Sequence, residues 1–307
     1  MNYTLNQLRI FLKVAETKSI TRASEELHLT QPAVSIQLRN FQQQFHMPLI
    51  EVINKKIYVT DFGNEIVESA KKIIDEVHTI SYKMHAFQGE LTGKLKISVV
   101  STGKYIAPYF IADFMKQHKG VELLLDVTNK AQVLRSLENN EVDFSFVSVM
   151  PDNVRVEREE LMQNKLYVIG NMEHKFQNSY YDGSIFETIP LIYREQGSGT
   201  RHVMEKFIHE NNLPVKMKME LTSNEAVKQA VISGLGYSIM PLIGIKNELQ
   251  NNQLQIIPVK GFPISSSWSL IWLKNKTLSP LSKAFLDYLK EKKEAIIRDK
   301  YSWIDSY

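Results

Sequence analysis

The chain has 307 residues, of which 43% are hydrophobic, and a formal net charge of +3. This length and composition fit a globular protein of two or three domains. It contains no cysteine, which excludes a disulfide framework, a thiol nucleophile and a thiolate metal site. Residues 1–12 carry Arg9 inside a broken apolar pattern, unlike a signal peptide, and no apolar run approaches the ~18 residues that a membrane span needs. We therefore expect a cytoplasmic protein with no membrane partner.

Three helices are predicted at the start of the chain. Ser19 is a suitable cap for the second, and Thr30 caps the third, which carries Pro32 in its first turn. The tight connection at residues 28–29 separates these two helices. The first helix is amphipathic, with apolar side chains at Leu5, Leu8, Phe11, Leu12 and Ala15. The third has one apolar stripe at helical spacing, formed by Val34, Leu38, Phe41 and Phe45.

The polar face of the third helix suits a recognition helix that enters the DNA major groove with its N-terminus first. Gln31 can bond N6 and N7 of adenine together, and Ser35 can bond a base or a phosphate. Residues 57–59 are expected to form a strand behind the basic turn 54–56, which predicts a wing beside the DNA backbone. A helical hairpin with a solvated polar face is the alternative. The candidate DNA contacts are Arg22, Thr30, Gln31, Pro32, Ser35, Ile36, Arg39, Lys55 and Lys56.

Residues 5–45, LNQLRIFLKVAETKSITRASEELHLTQPAVSIQLRNFQQQF, resemble the winged helix-turn-helix of LysR-type transcriptional regulators. Two positions depart from that family: Ile36 stands where a basic residue is frequent, and Val52 takes the place of an Arg. Arg39 and the lysines of the wing turn are therefore expected to carry more of the backbone binding, while Ile36 could touch a thymine methyl group. Residues 1–61 hold seven basic and five acidic residues, a net charge of +2. Because one such domain would bind DNA weakly, we expect a dimer.

A long helix is predicted from a cap at residues 60–61 to about residue 88. Its apolar positions recur every 3.5 residues, which is typical of a coiled-coil seam. The linker helix of LysR-type regulators pairs two DNA-binding modules in this way. A helix that lies on its own domain is the alternative. The predicted dimer positions are Ile66, Ala70, Ile73, Val77, Ile80, Met84 and Phe87.

Beyond residue 90, strands and helices alternate, which predicts a mostly parallel α/β sheet with helices on both faces. Strands are predicted at 95–100, 121–127, 142–149, 166–169, 190–193, 217–221, 237–241 and 268–273. Helices are predicted at 105–117, 131–139, 200–210, 224–233 and 280–293. The resemblance implies two lobes of periplasmic-binding-protein type, with crossings near 161–164 and 262–266. The predicted division is a winged helix-turn-helix at 1–61, a linker helix at 62–90 and an effector domain at 91–307, with lobe I at 91–161 and 265–307 and lobe II at 162–264.

In α/β sheets ligands bind beyond the carboxyl ends of strands, near helix N-termini. Residues 101–104 follow the first strand, and the glycine-rich segment 194–201 follows a strand of the second lobe. Helix capping is the alternative for the hydroxyl and amide side chains, and salt bridges are the alternative for the arginines. The candidate effector-binding residues are Ser101, Thr102, Lys104, Asn129, Ser148, Arg194, Ser198, Thr200, Arg201 and Asn224.

Nothing in the sequence indicates catalysis. The segment Gly197-Ser198-Gly199 lacks the G-x-S-x-G frame of a nucleophile turn. The eight histidines are scattered, and neither an H-E-x-x-H motif nor a phosphate-binding Gly-Lys-Ser/Thr is present. We expect no enzyme activity, no catalytic residue, no metal site and no cofactor.

Three segments, VVSTGKYIAPYFIADF, REQGSGTRHVMEKF and LTSNEAVKQAVISGLGYSIMP, together with SPLSKAFLDYL, resemble the LysR-type regulators of Calvin-cycle and related operons. Members of that branch respond to small phosphorylated or anionic metabolites. This chain has SVMPD at 148–152 where the branch has an Arg-Pro-Pro turn, and Ser266 in a usual Arg place. Because arginine binds anions through two charge-assisted bonds, we predict a smaller or less charged anion. Lys104, Arg194 and Arg201 are its candidate cationic partners.

The resemblance implies a bacterial regulator that binds double-stranded DNA as a tetramer on two adjacent operator segments, with the two-fold axis of the dimer matched by an inverted-repeat site. Its grip on DNA, and the bending of the DNA, would change with the effector. RNA polymerase is a further candidate partner. The sequence indicates neither activation nor repression. A solute-binding protein would have a signal peptide and no helical leader. A ligand-independent architectural DNA binder would leave the two-lobe domain unexplained.

The two kinds of DNA contact predict different mutant behaviour. Gln31→Ala is expected to relax base specificity, whereas Lys55→Ala is expected to weaken binding to all DNA about equally and to lower the salt slope by roughly one. Gel shifts on specific and scrambled DNA at several salt concentrations separate these effects. Equal effects of both substitutions would contradict the two roles.

Overall fold

The computed structural model describes residues 2–54, 56–87, 91–174, 176 and 178–307. The chain divides into two compact units, Met1–Gly89 and Glu90–Tyr307. A winged helix-turn-helix with a long helix forms the first unit, and a two-lobe α/β domain forms the second, as the sequence predicts. None of the helices in the described ranges is long and apolar enough to cross a membrane.

The first unit begins with three short helices whose ends are fixed by side-chain caps. Thr4 and Gln7 form a capping box on the first helix, and Ser19 and Thr30 cap the next two as predicted. The hydroxyl of each cap accepts a backbone N–H that has no partner within the helix. The elements are α1 (Leu5–Thr17), α2 (Ile20–Glu26), α3 (Gln31–Gln42), β1 (Ile50–Ile53), β2 (Lys56–Val59) and α4 (Asp61–Phe87).

The wing is a two-stranded antiparallel ribbon of β1 and β2 with Ile50 opposite Val59. The sequence predicted only its second strand. The first strand was missed because its apolar side chains do not alternate between buried and exposed: Ile50 is buried, but Val52 and Ile53 are exposed.

An aromatic cluster forms the core of the first unit. Phe11 and Phe41 are fully buried with ring centroids 5.3 Å apart, and Phe45 and Tyr3 pack on Phe41 at 5.1 and 5.6 Å. Burying each of these large rings contributes a few kcal/mol, and offset or edge contacts add to this. The apolar stripe predicted on α3 therefore faces this core, which leaves the opposite face of α3 exposed.

The second unit contains nine strands and six α-helices in the residues that the structure describes. The strands are β3 (Gly93–Val100), β4 (Val121–Thr128), β5 (Phe144–Val147), β6 (Val156–Asn171), β7 (Leu191–Arg194), β8 (Met217–Leu221), β9 (Ser238–Pro241), β10 (Leu254–Ile257) and β11 (Ile264–Leu273). The helices are α5 (Ala107–Gln117), α6 (Lys130–Glu138), α7 (Gly199–Glu210), α8 (Asn224–Ile232), α9 (Lys246–Gln250) and α10 (Pro280–Tyr301). Short 3-10 helices span Ser101–Tyr105, Gly183–Glu187, Leu242–Gly244 and Ser302–Ser306.

Strands β6 and β11 form one long antiparallel ribbon, with Leu166 opposite Ile264 at one end and Val156 opposite Leu273 at the other. Strand β5 pairs with β11, followed by β3 and β4, whereas β9 and β10 both pair with the second half of β6. The predicted crossings near 161–164 and 262–266 fall on this ribbon.

The prediction of a mostly parallel sheet was wrong. Parallel pairing joins β3 to β4, β3 to β5, and β7 to β8, but every pairing of β6 and β11 is antiparallel. The sequence missed the first half of β6 because residues 156–160 are mostly charged and exposed. It also missed β10, and it ended the last helix at residue 293, whereas α10 continues to Tyr301.

The aromatic core predicts how the first unit responds to a cavity. Phe41→Ala is expected to destabilise the first unit by about 3–5 kcal/mol, because it empties a fully buried site. Ile36→Ala, on the exposed face of the same helix, is the matched control and is expected to cost under about 1 kcal/mol.

Circular dichroism and fluorescence distinguish the two units in that experiment. All three tryptophans lie in the second unit, so their fluorescence reports only its unfolding, whereas circular dichroism at 222 nm reports both units. Phe41→Ala should shift the dichroism transition and leave the fluorescence transition unchanged. A shift of both would show that the two units unfold as one.

Candidate functional site

The exposed face of α3 presents the predicted base-reading side chains. Gln31, Pro32 and Arg39 are exposed, Ile36 is 48% exposed, and Ser35 is half-buried. Thr30 serves as the helix cap, since its Oγ1 accepts the N–H of Ala33 at 3.4 Å. The hydroxyl of Thr30 is therefore already engaged, while the side chains of the first turns remain accessible.

Three basic side chains flank this face. Arg22 on α2, Arg39 on α3 and Lys56 on the wing are exposed, and none of them makes an ion pair with another described residue. Their charges are therefore available to bind DNA phosphates. Lys55, the fourth predicted cation, lies outside the described residues. The wing itself exposes apolar surface. Val52, which stands where LysR-type regulators usually have an arginine, is 66% exposed, so the wing has no positive charge at that position.

The predicted seam of α4 divides into two parts. Ala70 is buried and Ile66 is half-buried against the core of the same unit, which is the alternative that the sequence left open. Ile73 is 40% exposed and Ile80 is 64% exposed. The side chains of the other late positions, Met84 and Phe87, lie outside the description, and Val77 is half-buried. The first part of the seam thus anchors the helix to its own unit, and the second part carries exposed apolar side chains.

In the second unit, the first contact between the lobes is made by Arg194. It ends β7 and is 4% exposed, and its Nε and Nη2 atoms bind both carboxylate oxygens of Glu195 at 2.8 and 2.9 Å. Nη2 also donates to Oγ of Ser101, in the 3-10 turn of the other lobe, at 3.1 Å. The remaining nitrogen, Nη1, is buried without a hydrogen-bond partner. Arg194 therefore links the two lobes and also holds one buried nitrogen, Nη1, that has no hydrogen-bond acceptor.

A second contact joins the N-terminus of α6 to the glycine turn before α7. The N–H of Ala131 donates to the carbonyl of Gly197 at 3.2 Å. Gly197 has φ +84°, and a Cβ there would lie 3.1 Å from that of Ala131, so only glycine fits both the backbone and the close approach. Asn129 caps α6 and Ser198 caps α7, so the capping alternative describes both side chains. Ser148, directly after β5, and Thr200, in the first turn of α7, are also buried.

The described part of the second unit also contains buried polar atoms without partners. Asn224, the first residue of α8, is 2% exposed, and neither its amide oxygen nor its amide nitrogen has a hydrogen bond. The hydroxyl of Tyr105 is likewise buried and unpartnered. Both side chains meet at Gly244, where a Cβ would lie 2.9 Å from Nδ2 of Asn224 and 3.1 Å from Cε2 of Tyr105. An unpartnered buried polar group costs about 1–3 kcal/mol, so such a group calls for an explanation.

The ribbon supplies two further unpartnered atoms, Oδ1 of Asn164 and Nε1 of Trp268. Asn164 stands opposite Ser266 and bonds to it, and Trp268 is two residues further on β11, so both point to the same side of the ribbon. The indole ring packs within 3.3 Å of a Cβ position at Gly103, in the 3-10 turn. The same side of the ribbon therefore faces that turn.

The cations of this region are mostly paired. Arg201 bonds to Glu205 at 2.7 Å and to Glu220, and stacks on Tyr193, as the salt-bridge alternative predicted. Lys228 bonds to Glu248 and Glu225 at 2.6 and 3.0 Å.

Two further lysines stand at the same junction. Lys104 is exposed with its Nζ 5.1 Å from the ring centre of Tyr105, and makes no ion pair in the described part of the chain. Burial lowers the pKa of Lys130, against the opposing effect of Asp152. In the described part of the chain, the junction therefore holds many hydrogen-bonding groups, three cations with carboxylate partners, and two lysines, Lys104 and Lys130, without an ion pair.

Sequence reasoning missed four residues of this junction: Tyr105, Asn164, Gly244 and Trp268. No local signal marked them, since a tyrosine at a helix start, a serine-rich strand and a glycine after a strand are common. Their proximity depends on the ribbon pairing, which the sequence did not predict. The glycine-rich segment and the turn after β3 were found because each lies between a strand and a helix.

Two family models match the chain: "Bacterial regulatory helix-turn-helix protein, lysR family" over residues 5–64, and "LysR substrate binding domain" over residues 88–294. The HTH-type transcriptional activator CmpR of Synechocystis is 38% identical over 298 residues, which covers 96% of this chain and 97% of CmpR. The RuBisCO operon transcriptional regulator of Allochromatium vinosum is also 38% identical and covers 94% of this chain and 96% of that protein.

Solved structures show the same relationship. The regulatory domain of Synechocystis CcmR in complex with 2-PG is 32% identical, with a TM-score of 0.63, and covers 66% of this chain and 98% of that domain. Full-length CbnR complexed with its target DNA is 19% identical, with a TM-score of 0.69, and covers 94% of this chain and 99% of CbnR; that likeness concerns the fold alone. The resemblance to Calvin-cycle regulators is confirmed by these relatives, and the absence of enzyme activity agrees with their names. The chain belongs to the LysR family of bacterial transcriptional regulators.

Proposed function

We propose that this regulator binds a small anion between its two lobes and that the bound anion changes how it binds and bends operator DNA. The observation that carries the proposal is the set of buried, unpartnered polar atoms on Arg194, Asn224 and Tyr105. These residues come from both lobes. A ligand that bonds to all three would favour the closed arrangement of the lobes, and only such differential affinity can shift the population of states.

The paired cations support a ligand of low charge. Arg194, Arg201 and Lys228 each have carboxylate partners. Among the described cations of the junction, Lys104 and Lys130 are therefore the two that offer an anion an unpaired charge. Ser266, which stands in the arginine place of the branch, bonds to Asn164 and adds no charge. The orphan atoms include donors on Arg194 and Trp268 and both a donor and an acceptor on Asn224. This pattern suits a singly charged carboxylate that also carries a hydroxyl group.

One of the solved relatives suggests a ligand against which other acids can be compared. The CcmR regulatory domain was solved in complex with 2-PG, and that complex supports a small acid as the effector class of this chain. The loss of two arginine positions in this chain supports weaker binding of a phosphorylated acid. We infer that hydroxycarboxylates such as glycolate and lactate stabilise the second unit more than 2-PG or inorganic phosphate does.

Tryptophan fluorescence of the full-length protein tests this class. Ligands that bind the native state raise its melting temperature, so glycolate, lactate, 2-PG and phosphate are compared at equal concentrations. Asn224→Ala is expected to weaken the best ligand by about tenfold or more, since it removes hydrogen bonds worth about 1–3 kcal/mol. Asn275→Ala is the matched control, because Asn275 is exposed in a turn of the same unit.

Three outcomes would contradict the proposal. Stabilisation by 2-PG and phosphate alone would favour a multiply charged effector. Equal loss in both asparagine variants would place the ligand elsewhere. No stabilisation by any acid, together with specific DNA binding that no acid alters, would favour a ligand-independent DNA binder.

We also infer that the regulator acts as a dimer that assembles further into a tetramer on an inverted-repeat operator, in the cytoplasm, with RNA polymerase as a candidate partner. The supporting feature is the exposed apolar part of α4, at Ile73 and Ile80. An isolated domain with a net charge of +2 gains affinity when two copies are linked.

The double variant Ile73→Lys and Ile80→Lys is expected to lower the association constant of the dimer by at least about tenfold, because it places like charges where apolar side chains would pair. Sedimentation velocity measures the change, and the affinity for a two-half-site operator should fall in parallel. Lys72→Glu, an exposed change on the same helix, is the control. An unchanged dimer in the double variant would place the pairing surface on another element.

A further inference from the structure

The end of α10 and the residues after it are packed against both lobes. We call residues 301–307 the strap. Tyr301 and Ile304 are buried, and the strap lies beyond residue 294, where the match to the family model ends. Its contacts reach the 3-10 turn of lobe I, the ribbon and the start of α9 in lobe II.

The first contact fixes the turn that carries Tyr105. The hydroxyl of Tyr301 donates to the carbonyl oxygens of Tyr105 and Ile106, at 3.2 and 3.4 Å. The ring of Tyr301 stacks on Phe110 with centroids 6.1 Å apart. Burial raises the pKa of the Tyr301 hydroxyl, so it stays protonated and remains a donor at physiological pH. These bonds hold the main chain at the point from which the Tyr105 side chain extends to Gly244.

The second set of contacts ties the strap to the other lobe. Nζ of Lys246 lies 4.8 Å from the ring centre of Trp303, a cation–π contact worth about 0.5–2 kcal/mol. Lys165, on the ribbon, donates to the main-chain oxygens of Ile304 and Tyr307 at 3.2 and 3.0 Å. The ring of Tyr105 packs on Gly244, two residues before Lys246. The strap and the turn of Tyr105 therefore hold the same short segment of lobe II, residues 244–246.

We propose that Tyr301 is a positioning residue for the interlobe site, and that the strap couples the Ser101–Tyr105 turn to lobe II. Tyr301 does not touch the ligand; it holds the main chain so that the hydroxyl of Tyr105 stays in the site. Trp303 transmits movement of residues 244–246 to that turn. This proposal rests on the proposed function only for its effect on ligand affinity, because the coupling itself exists without a ligand.

Hydrogen exchange of the full-length protein without ligand tests the coupling. Tyr301→Phe keeps the stacking and removes only the hydroxyl. It is expected to raise the exchange rates of the amides in residues 102–107 by at least about fivefold. Trp303→Ala is expected to raise exchange in residues 242–250 and, through the strap, in residues 102–107. Tyr288→Phe is the matched control, since Tyr288 lies on the same helix and packs on Phe114 and Phe285, away from the turn.

Hydrogen exchange tests the positioning role of Tyr301, and ligand affinity tests the proposed function, so the two proposals can fail independently. Unchanged exchange of residues 102–107 in Tyr301→Phe, or the same change in Tyr288→Phe, would overturn the positioning role whatever ligand binds. If exchange rises as expected, the affinity for the best stabilising acid should fall by about threefold to tenfold in Tyr301→Phe and remain unchanged in Tyr288→Phe. If none of the four acids binds the wild-type protein, the ligand class fails while the exchange result still decides the coupling.

Discussion

The antiparallel ribbon of β6 and β11 is the constraint on which the second unit depends. Because its strands run from Val156 to Asn171 and from Ile264 to Leu273, the two lobes share backbone pairing that is interrupted by one register shift, between Trp268 and Ser269. A rotation of the lobes about the ribbon would keep this pairing, whereas a separation of the lobes would break it. The interlobe bonds at Ser101 and Gly197 lie on elements that such a rotation would move. A small change in the relative angle of the lobes is therefore the motion that a ligand can control.

The first unit depends on its aromatic core in a comparable way. Phe41 links α3 to α1 and Tyr3, and the early turns of α4 pack on the same core through Ala70. The direction in which α4 leaves the unit is therefore fixed by the packing that also holds the recognition helix. A dimer that forms through the later turns of α4 would position two recognition helices at a defined spacing, which is what an inverted-repeat operator requires.

Much of the architecture could be predicted because it depends on local patterns. The caps at Ser19 and Thr30 and the stripe through Phe41 depend only on residues within about one helix. The ribbon could not be predicted, because β6 begins with exposed charged residues whose extended form is imposed by pairing with β11. The same limit applies to the site. Ser101 and Asn224 were found from strand–helix junctions, but Tyr105, Gly244 and Trp268 come together only through long-range pairing. The roles of the candidate residues stay predictions.

The pairing of Arg194 with Glu195 has a consequence for sensitivity. The carboxylate of Glu195 occupies two nitrogens of the guanidinium, so Arg194 is not an isolated buried charge and needs no counter-ion from solution. An anion that bonds to the unpartnered Nη1 would share the charge of the guanidinium with this carboxylate. Such an anion would bind more weakly than at an unpaired arginine, and the regulator would then respond to abundant metabolites over a threshold concentration rather than retain a scarce one. Glu195 would act as an internal competitor that sets this threshold.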